Sequence, residues 1–257
     1  MLTDLHLREA FHFCFLQRLL ADSDPGIFVL KGGVNLRFFF QSPRYSEDMD
    51  LDVLAGSVAT LKKNGYKILE DAAFQRSLQV FGIDRIEIND PSRAKHTETT
   101  QRFRCALVRD SGQRLPTKVE FSRRSDDPGP RAPLEAVDPE VARPYRRLAY
   151  RCRHYAGALA AVQKIEALAG RTVSQARDVF DLGLLIQGGY LADAYAQGDL
   201  DEAPLPAAIA NLCALSWADY AGQVVEFLAP ASRGEFGTQA AWDALQNSVF
   251  EALQARE

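Results

Sequence analysis

Residues 30–53, which read L-K-G-G-V-N-L-R-F-F-F-Q-S-P-R-Y-S-E-D-M-D-L-D-V, decide the fold of this chain. A Gly-Gly pair precedes a short apolar helix, and a strand of alternating acidic and apolar residues follows. Because successive side chains of a strand point to opposite faces, Asp48, Asp50 and Asp52 share one face. We expect this acidic face to be wet and the apolar residues between the acids to enter the core.

The acidic alternation is open to three interpretations. Carboxylates this close repel each other unless a cation lies between them, and oxygen ligands of this kind suit Mg2+ or Mn2+. A calcium-binding loop also begins D-x-D-x-D, but it needs Gly at its sixth position and Glu at its twelfth. Val53 and Ala59 stand there, which excludes the calcium loop. An edge strand whose acids only oppose aggregation is the remaining alternative.

The glycine pair favours the metal interpretation. Gly32 and Gly33 follow an apolar strand predicted at residues 27–30. Glycine at the start of a helix lets backbone N–H groups approach a phosphate closely. A phosphate-accepting loop beside an acidic pair that binds metal is typical of a nucleoside triphosphate site.

The runs K-G-G-V-N-L and R-Y-S-E-D-M-D-L resemble the nucleotidyltransferase signature of the AbiEii/AbiGii toxin family, a branch of the polymerase-beta-like superfamily that includes MenT-type toxins. The matching residues are Gly32, Gly33, Leu36, Arg44, Ser46, Asp48 and Asp50. The resemblance implies that the two acids bind metal and that the glycines, Arg44 and Ser46 bind nucleotide. Residues 34–35 are Val-Asn, where the family often has Thr and a small residue.

The same resemblance implies a third acid on a neighbouring strand. Residues 117–122, T-K-V-E-F-S, alternate in strand fashion, and Glu120 is their candidate third metal ligand. A second alternating run, residues 103–108, precedes them across a Ser-Gly turn and predicts a hairpin of one sheet. An exposed Glu paired with Lys118 or Arg123 is the alternative, since exposed Glu is ordinary in strands.

A second constellation lies in the C-terminal half. Residues 155–171 predict an alanine-rich helix that carries Lys164, and the run A-R-D-V-F-D-L follows at 176–182. Taken singly, these charges would be surface ion pairs. Together they resemble the second block of the toxin family, which implies phosphate contact for Lys164 and an active-site role for Asp178. The role of Asp181 stays open, because an Asp one turn on could equally fix the preceding Arg.

These patterns predict an α+β fold, a nucleotidyltransferase-type mixed sheet with packed helices plus a helical C-terminal lobe. We expect an amphipathic N-terminal helix and then the sheet over about residues 27–122, with helices on one face. A linker over about residues 123–144 would follow. The predicted domains are 1–135, with the N-terminal helix and the nucleotidyltransferase sheet, and 136–257, which is helical.

Composition agrees with a cytoplasmic protein. The chain has 257 residues, 47% of them apolar, which is ample for a core. Its four cysteines are scattered and predict reduced core thiols. No run approaches the roughly 20 apolar residues that a membrane span requires.

Although the net charge is −4, basic residues are concentrated in two segments of the chain. Residues 93–131 hold ten Lys or Arg, and five further Arg at 143–153 alternate with Tyr145, Tyr150 and Tyr155. Arginines interleaved with aromatic rings can hold phosphates and stack on bases, which predicts a polynucleotide contact. A solvated helix or linker would have the same composition.

The resemblance implies nucleotidyl transfer from an NTP, with two Mg2+ ions held by Asp48, Asp50 and Glu120. It further implies a toxin with a cognate antitoxin, and tRNA 3′ ends are the acceptor we favour. A protein or small-molecule acceptor would need the same metal site. A non-catalytic relative that binds nucleotide or antitoxin is the alternative from another class, and the intact acids argue against it.

Overall fold

The computed structural model describes residues 2–90, 96–124 and 126–255, which form two compact units. The first unit consists of Met1–Gln41 and Tyr45–Tyr155, and the second of Ser42–Arg44 and Ala156–Glu257. The chain therefore leaves the first unit briefly at residue 42 and for good at residue 156. The boundary predicted at residue 135 is twenty residues too early, because the strands at 134–136 and 151–154 were not recognised in the sequence.

The first unit is built on a seven-stranded mixed sheet in the order β3-β4-β5-β2-β1-β7-β6. Its strands are β1 Phe28–Lys31, β2 Asp48–Val53, β3 Ile83–Ile88, β4 Thr100–Arg109, β5 Arg114–Arg123, β6 Leu134–Ala136 and β7 Arg151–His154. The predicted hairpin is confirmed, since β4 pairs antiparallel with β5. Three strands were not predicted individually: β3 pairs antiparallel with β4, β7 pairs parallel with β1, and β6 pairs with β7.

Strand β2 lies near the middle of this sheet, antiparallel to β1 and parallel to β5. Met49, Leu51 and Val53 are buried, as the alternation predicted. On β5, Val119 and Phe121 are buried in the same core. Burying both rows of apolar side chains fixes the register of β2 against β5, because a slip by one residue would turn every apolar side chain outward.

The helices of the first unit are α1 Asp4–Asp22, α2 Gly32–Phe39, α3 Val58–Glu70, α4 Ala72–Gln79 and α5 Pro139–Ala142. The expectation that α1 is amphipathic was wrong. Its residues from Glu9 to Leu16 are all buried. Glu9 accepts hydrogen bonds from Arg37 and Tyr145, and His12 bonds to Thr117, so even the polar side chains inside this run are satisfied.

The second unit is helical, as predicted. Its helices are α6 Gly157–Gly170, α7 Ala176–Gln187, α8 Tyr190–Gln197, α9 Leu205–Ala214, α10 Trp217–Gln223, α11 Arg233–Phe236 and α12 Gln239–Gln254. The short segment Ser42–Arg44 is held against it by backbone contacts. Arg44 forms an antiparallel bridge with Leu228, and the Ala229 N–H donates to the Pro43 carbonyl at 2.9 Å.

The cysteines are free, and three of the four lie in the interior. Cys14, Cys105 and Cys152 are buried as predicted, whereas Cys213 is exposed, so the prediction of a core thiol was wrong there. Over the described residues, no helix has both the length and the apolar character that a membrane crossing requires.

Candidate active site

The acidic face of β2 does not form one uniform environment. Asp48 and Asp50 are half-buried, but Asp52 is only 1% exposed, so the expectation of a wet face was wrong for Asp52. The three carboxylates therefore have two different roles. The first two lie where a ligand can reach them, and the third lies inside the unit.

Asp52 is the centre of a buried polar cluster. Lys31 Nζ lies 2.5 Å from one carboxylate oxygen, and Arg124 Nε lies 3.1 Å from the other. The Tyr155 hydroxyl donates to the second oxygen at 2.7 Å. With both oxygens engaged by protein donors, Asp52 ties β1, β2 and the end of the first unit together.

Replacing Asp52 by Asn should therefore lower stability rather than chemistry. We expect the free energy of unfolding to fall by about 1–3 kcal/mol, because charge-assisted hydrogen bonds to a buried carboxylate are lost. Lys31 and Arg124 keep some access to solvent, which limits the loss. Urea denaturation followed by circular dichroism measures it, and an Asp52→Asn protein with unchanged stability would contradict the role.

Asp50 lies at the meeting point of three elements. It is opposite Lys31 on β1 and opposite Glu120 on β5. Burial raises the pKa of Asp50, and the carboxylates of Glu120 and Asp48 raise it further against the opposing lysines. The ionised form of Asp50 therefore costs free energy in the folded protein, and an additional cation beside it would offset that cost.

Gly32 places the start of α2 directly against this carboxylate. Its φ is +68°, and a Cβ built on it would lie 3.3 Å from Asp50 Oδ2. A side chain at position 32 would be strained and would crowd the acid. The N-cap residue Lys31 makes no side-chain cap, so backbone N–H groups of the first turn are available to an anion there.

The other two acids of this face are each paired with a cation on a neighbouring side chain. Lys118 Nζ lies 2.9 Å from Asp48 Oδ2, and Arg102 Nε lies 2.5 Å from Glu120 Oε2. Glu120 thus has neither of the partners considered from the sequence. It stands in register with Asp50 on the adjacent strand, which is the position that a third ligand requires.

The donor set fits a magnesium or manganese ion through two carboxylates. Over the described residues, no group of three or more His, Cys, Asp or Glu is arranged to hold a metal. Mg2+ is commonly bound by one or two carboxylates, with substrate phosphates and water completing its shell. Asp48 and Asp50, two residues apart on one face of β2, meet that requirement. Glu120 would become a third ligand only if its ion pair with Arg102 were broken.

Ser46 and Arg44, the remaining residues of the N-terminal motif, have partners within the protein. The Ser46 hydroxyl donates to the Asp48 carbonyl at 2.8 Å and shapes the entry into β2. Arg44 belongs to the second unit, is 4% exposed, and donates to both oxygens of Asp181. The structure thus gives Asp181 a partner that the sequence did not suggest, since we had considered only Arg177.

The second unit contains a buried ion cluster formed by residues of both C-terminal motif runs. Lys164 Nζ lies 3.0 Å from Asp178 and 2.6 Å from Asp181. Arg171 Nε lies 2.7 Å from the far oxygen of Asp178. With Arg44, three cations surround two carboxylates, so the cluster carries one excess positive charge.

Mutual attraction keeps Lys164 and Asp178 of this ion cluster ionised. Although burial acts to lower it, Asp181 and Asp178 raise the pKa of Lys164 above its usual value. Although burial acts to raise it, Lys164 and Arg171 hold the pKa of Asp178 below its usual value. A permanently cationic Lys164 is suited to an anionic ligand such as a triphosphate.

The basic and aromatic segment differs from its prediction. Tyr145 and Tyr155 are buried, and their hydroxyls donate to Glu9 and Asp52. Tyr150 packs on Phe13 and donates to its carbonyl. None of the three rings is free to stack on a base, because each is part of the core packing. Arg93, at the start of the longer basic stretch, lies outside the described residues.

A sequence profile described as "Nucleotidyl transferase AbiEii toxin, Type IV TA system" matches residues 14–252. This chain belongs to the AbiEii family. The predicted resemblance is thereby confirmed, and the chain is a nucleotidyltransferase of a toxin family, with an NTP as substrate and an antitoxin as its counterpart.

Solved structures share the fold of this AbiEii chain at low sequence identity. JHP933 from Helicobacter pylori is 17% identical with a TM-score of 0.53, covering 99% of this chain and 95% of its own. A putative nucleotidyltransferase from H. pylori is 18% identical with a TM-score of 0.54, covering 96% and 95%. MenT4, the nucleotidyltransferase toxin Rv2826c from Mycobacterium tuberculosis H37Rv, has the same identity and TM-score, covering 97% and 84%. Among curated proteins, none matches the chain.

Proposed function

We propose that this AbiEii protein transfers a nucleoside monophosphate from an NTP to the 3′ end of tRNA, in a cytoplasmic reaction that requires Mg2+ or Mn2+. The observation that carries the metal requirement is the environment of Asp50. Its carboxylate is half-buried between Asp48, Glu120 and the glycine at the start of α2, and its pKa is raised by that burial and those acids. Such a group favours a divalent cation and a phosphate beside it.

Asp48 and Asp50 would hold the metal, which when bound neutralises charge that develops on the phosphates. The first turn of α2, with Gly32 and Gly33, would bind phosphate oxygens through backbone N–H groups. Ser46 holds the backbone of Asp48 and so orients the first ligand. The acceptor hydroxyl oxygen bonds to the α-phosphorus and loses its proton, and the bond from that phosphorus to the bridging oxygen breaks to release pyrophosphate.

We assign the remaining predicted residues to support and binding roles. Glu120 would serve as the third acid, and Arg102 holds its carboxylate in place. Lys164 would contact the triphosphate, which the excess positive charge of its ion cluster favours, and Asp178 would fix its ammonium group. Arg44 acts through Asp181 on the same lysine and is a positioning residue rather than a direct nucleotide ligand.

The choice of tRNA as acceptor rests on family resemblance and on surface cations. Arg143, Arg146 and Arg151 are exposed on the first unit and can meet a phosphate backbone without aromatic stacking. This contact is electrostatic and independent of base sequence. It would therefore hold many RNA molecules, and selection of the 3′ end falls to the residues around Asp48 and Asp50.

A labelling reaction tests the proposal. The purified protein, supplied in turn with each of the four α-labelled NTPs, should label total tRNA in the presence of Mg2+ or Mn2+ and lose this activity completely with EDTA. Total protein and an aminoglycoside are the parallel acceptors. Label on total protein or on the aminoglycoside, but not on tRNA, would contradict the choice of tRNA as acceptor. Label that persists in EDTA would contradict the metal requirement.

A further inference from the structure

A cleft with a volume of about 400 Å³ opens in the first unit beside Asp48. It lies over β4 and β5, and its lining includes Asn89, Arg104, Ala106, Arg114, Pro116 and Lys118. The volume is in the range of small-molecule sites and is large enough for one nucleotide. Apart from Asp48, no lining residue of this cleft has a role in the proposed reaction so far.

The cleft has more basic than acidic side chains. Arg104 is exposed and makes no ion pair within the described parts of the chain. Arg114 is 62% exposed and pairs with Glu87 at 2.9 Å, whereas Lys118 pairs with Asp48. Glu47, the other acid of the lining, lies 4.0 Å from Arg8. The unpaired guanidinium of Arg104 is therefore the strongest attraction for an anion.

The floor between these cations is apolar. Ala106 on β4 and Pro116 on β5 are paired across the hairpin, and Asn89 also lines the cleft. An apolar floor accepts the flat surface of a sugar or base, and an amide side chain can both donate to and accept from a base edge. Cations, a flat apolar floor and one amide together match a nucleotide.

The order of the strands separates this cleft from the phosphate loop. Arg104, Lys118 and Asp48 are in register across β4, β5 and β2, whereas Gly32 adjoins Asp50 from the side of β1. The two acids of β2 thus lie between the phosphate loop on one side and the cleft on the other. A transfer reaction brings two substrates together at its metal ligands, and the loop suits the triphosphate.

We propose that this cleft binds the 3′-terminal nucleotide of an RNA acceptor, with its phosphate against Arg104 and Arg114 and its sugar and base over Ala106 and Pro116. The inference rests on the proposed function and deepens it, because it says where the acceptor lies. It also gives Lys118 a second role. Its ammonium joins the cleft to Asp48, so it lies where the terminal hydroxyl would meet the metal ligands.

The test measures RNA affinity directly. A fluorescent single-stranded RNA of twelve nucleotides is titrated with the full chain, with Arg104→Ala, with Arg114→Ala and with the double variant. Arg76→Ala on α4 removes the same charge elsewhere on the first unit and is the matched control. We expect each cleft variant to weaken binding about fivefold or more, and the slope of log affinity against log salt to fall by about 0.7 per lost phosphate contact.

The KM for NTP should not change in these variants, because the triphosphate is assigned to the other side of the acids. Equal affinity in the cleft variants and Arg76→Ala, or no RNA binding by the unaltered protein, would overturn the inference. A raised KM for NTP with unchanged RNA affinity would assign the cleft to the NTP instead. If RNA affinity depends on Arg104 while no NTP labels tRNA, the cleft stands and only the proposed reaction fails.

Discussion

Replacing Asp50 by Asn should abolish nucleotidyl transfer while leaving the fold intact. We expect the rate to fall by at least about a thousandfold, equivalent to about 4 kcal/mol of transition-state stabilisation, because a metal ligand is lost. The free energy of unfolding should stay the same or rise. Burial and neighbouring acids raise the pKa of this carboxyl, so its charge destabilises the folded state at neutral pH, and a neutral amide removes that cost.

Asp110→Asn is the matched control for this experiment. It makes the same chemical change on an exposed residue of the turn between β4 and β5, and it should leave both rate and stability unaltered. Transfer rates and urea midpoints of the two variants are compared with those of the unaltered chain. An Asp50→Asn protein with more than a tenth of the normal rate would remove Asp50 from the metal site.

Replacing Asp181 by Ala should be among the most destabilising single changes in the second unit. Asp181 is fully buried and is the partner of both Arg44 and Lys164. Removing Asp181 takes away a carboxylate that two buried cations share, which costs about 3–5 kcal/mol. We expect the unfolding transition monitored by circular dichroism to move to a markedly lower urea concentration.

Asp243→Ala, on the exposed side of α12, tests whether loss of an acid as such matters. Its free energy of unfolding should stay within about 0.5 kcal/mol of the unaltered protein. Arg44→Met in the Asp181→Ala background should recover part of the loss, because it removes one of the two cations that Asp181 binds. A stability of Asp181→Ala that equals the control would show that water or another residue already satisfies the two cations.

The central part of the first unit could be predicted because its signals are local. Alternation over Asp48–Val53 and over residues 117–122 is read directly from the chain, and a turn joins β4 to β5. The family motif supplies the glycine pair. The contact of Gly32 with Asp50 depends on a positive φ and on strand pairing, which no pattern of residue types expresses.

What escaped prediction depends on partners distant in sequence. Asp52 lies in the same alternating run as Asp50, yet Tyr155 and Arg124 enclose its carboxylate. No residue near Asp52 in the sequence indicates that these two distant side chains contact it. The strand β7 has only four residues and follows a Pro- and Arg-rich stretch, so no strand pattern was recognised and it was assigned to the helical domain. The twenty-residue error in the domain boundary has the same cause.

The ion cluster of the second unit could be predicted from the sequence only in part. Spacing put Lys164 and the two aspartates on helices that a family block connects, and the structure brings all three together. Arg44 was assigned to the nucleotide because it lies in the N-terminal motif. The segment that contains Arg44 belongs to the second unit for three residues only, and so short a segment cannot be recognised from its composition.

Because residues 42–44 belong to the second unit, some native contacts of the N-terminal part can form only late in synthesis. Arg44 emerges from the ribosome 137 residues ahead of its partner Asp181, and β1 waits for β7 to cover its edge. Until β7 and Asp181 have been synthesised, the nascent chain carries an open strand edge and lacks the buried ion cluster. A message truncated before residue 151 therefore lacks β7 and leaves one edge of β1 open, and one truncated before residue 181 lacks the carboxylate to which Arg44 donates.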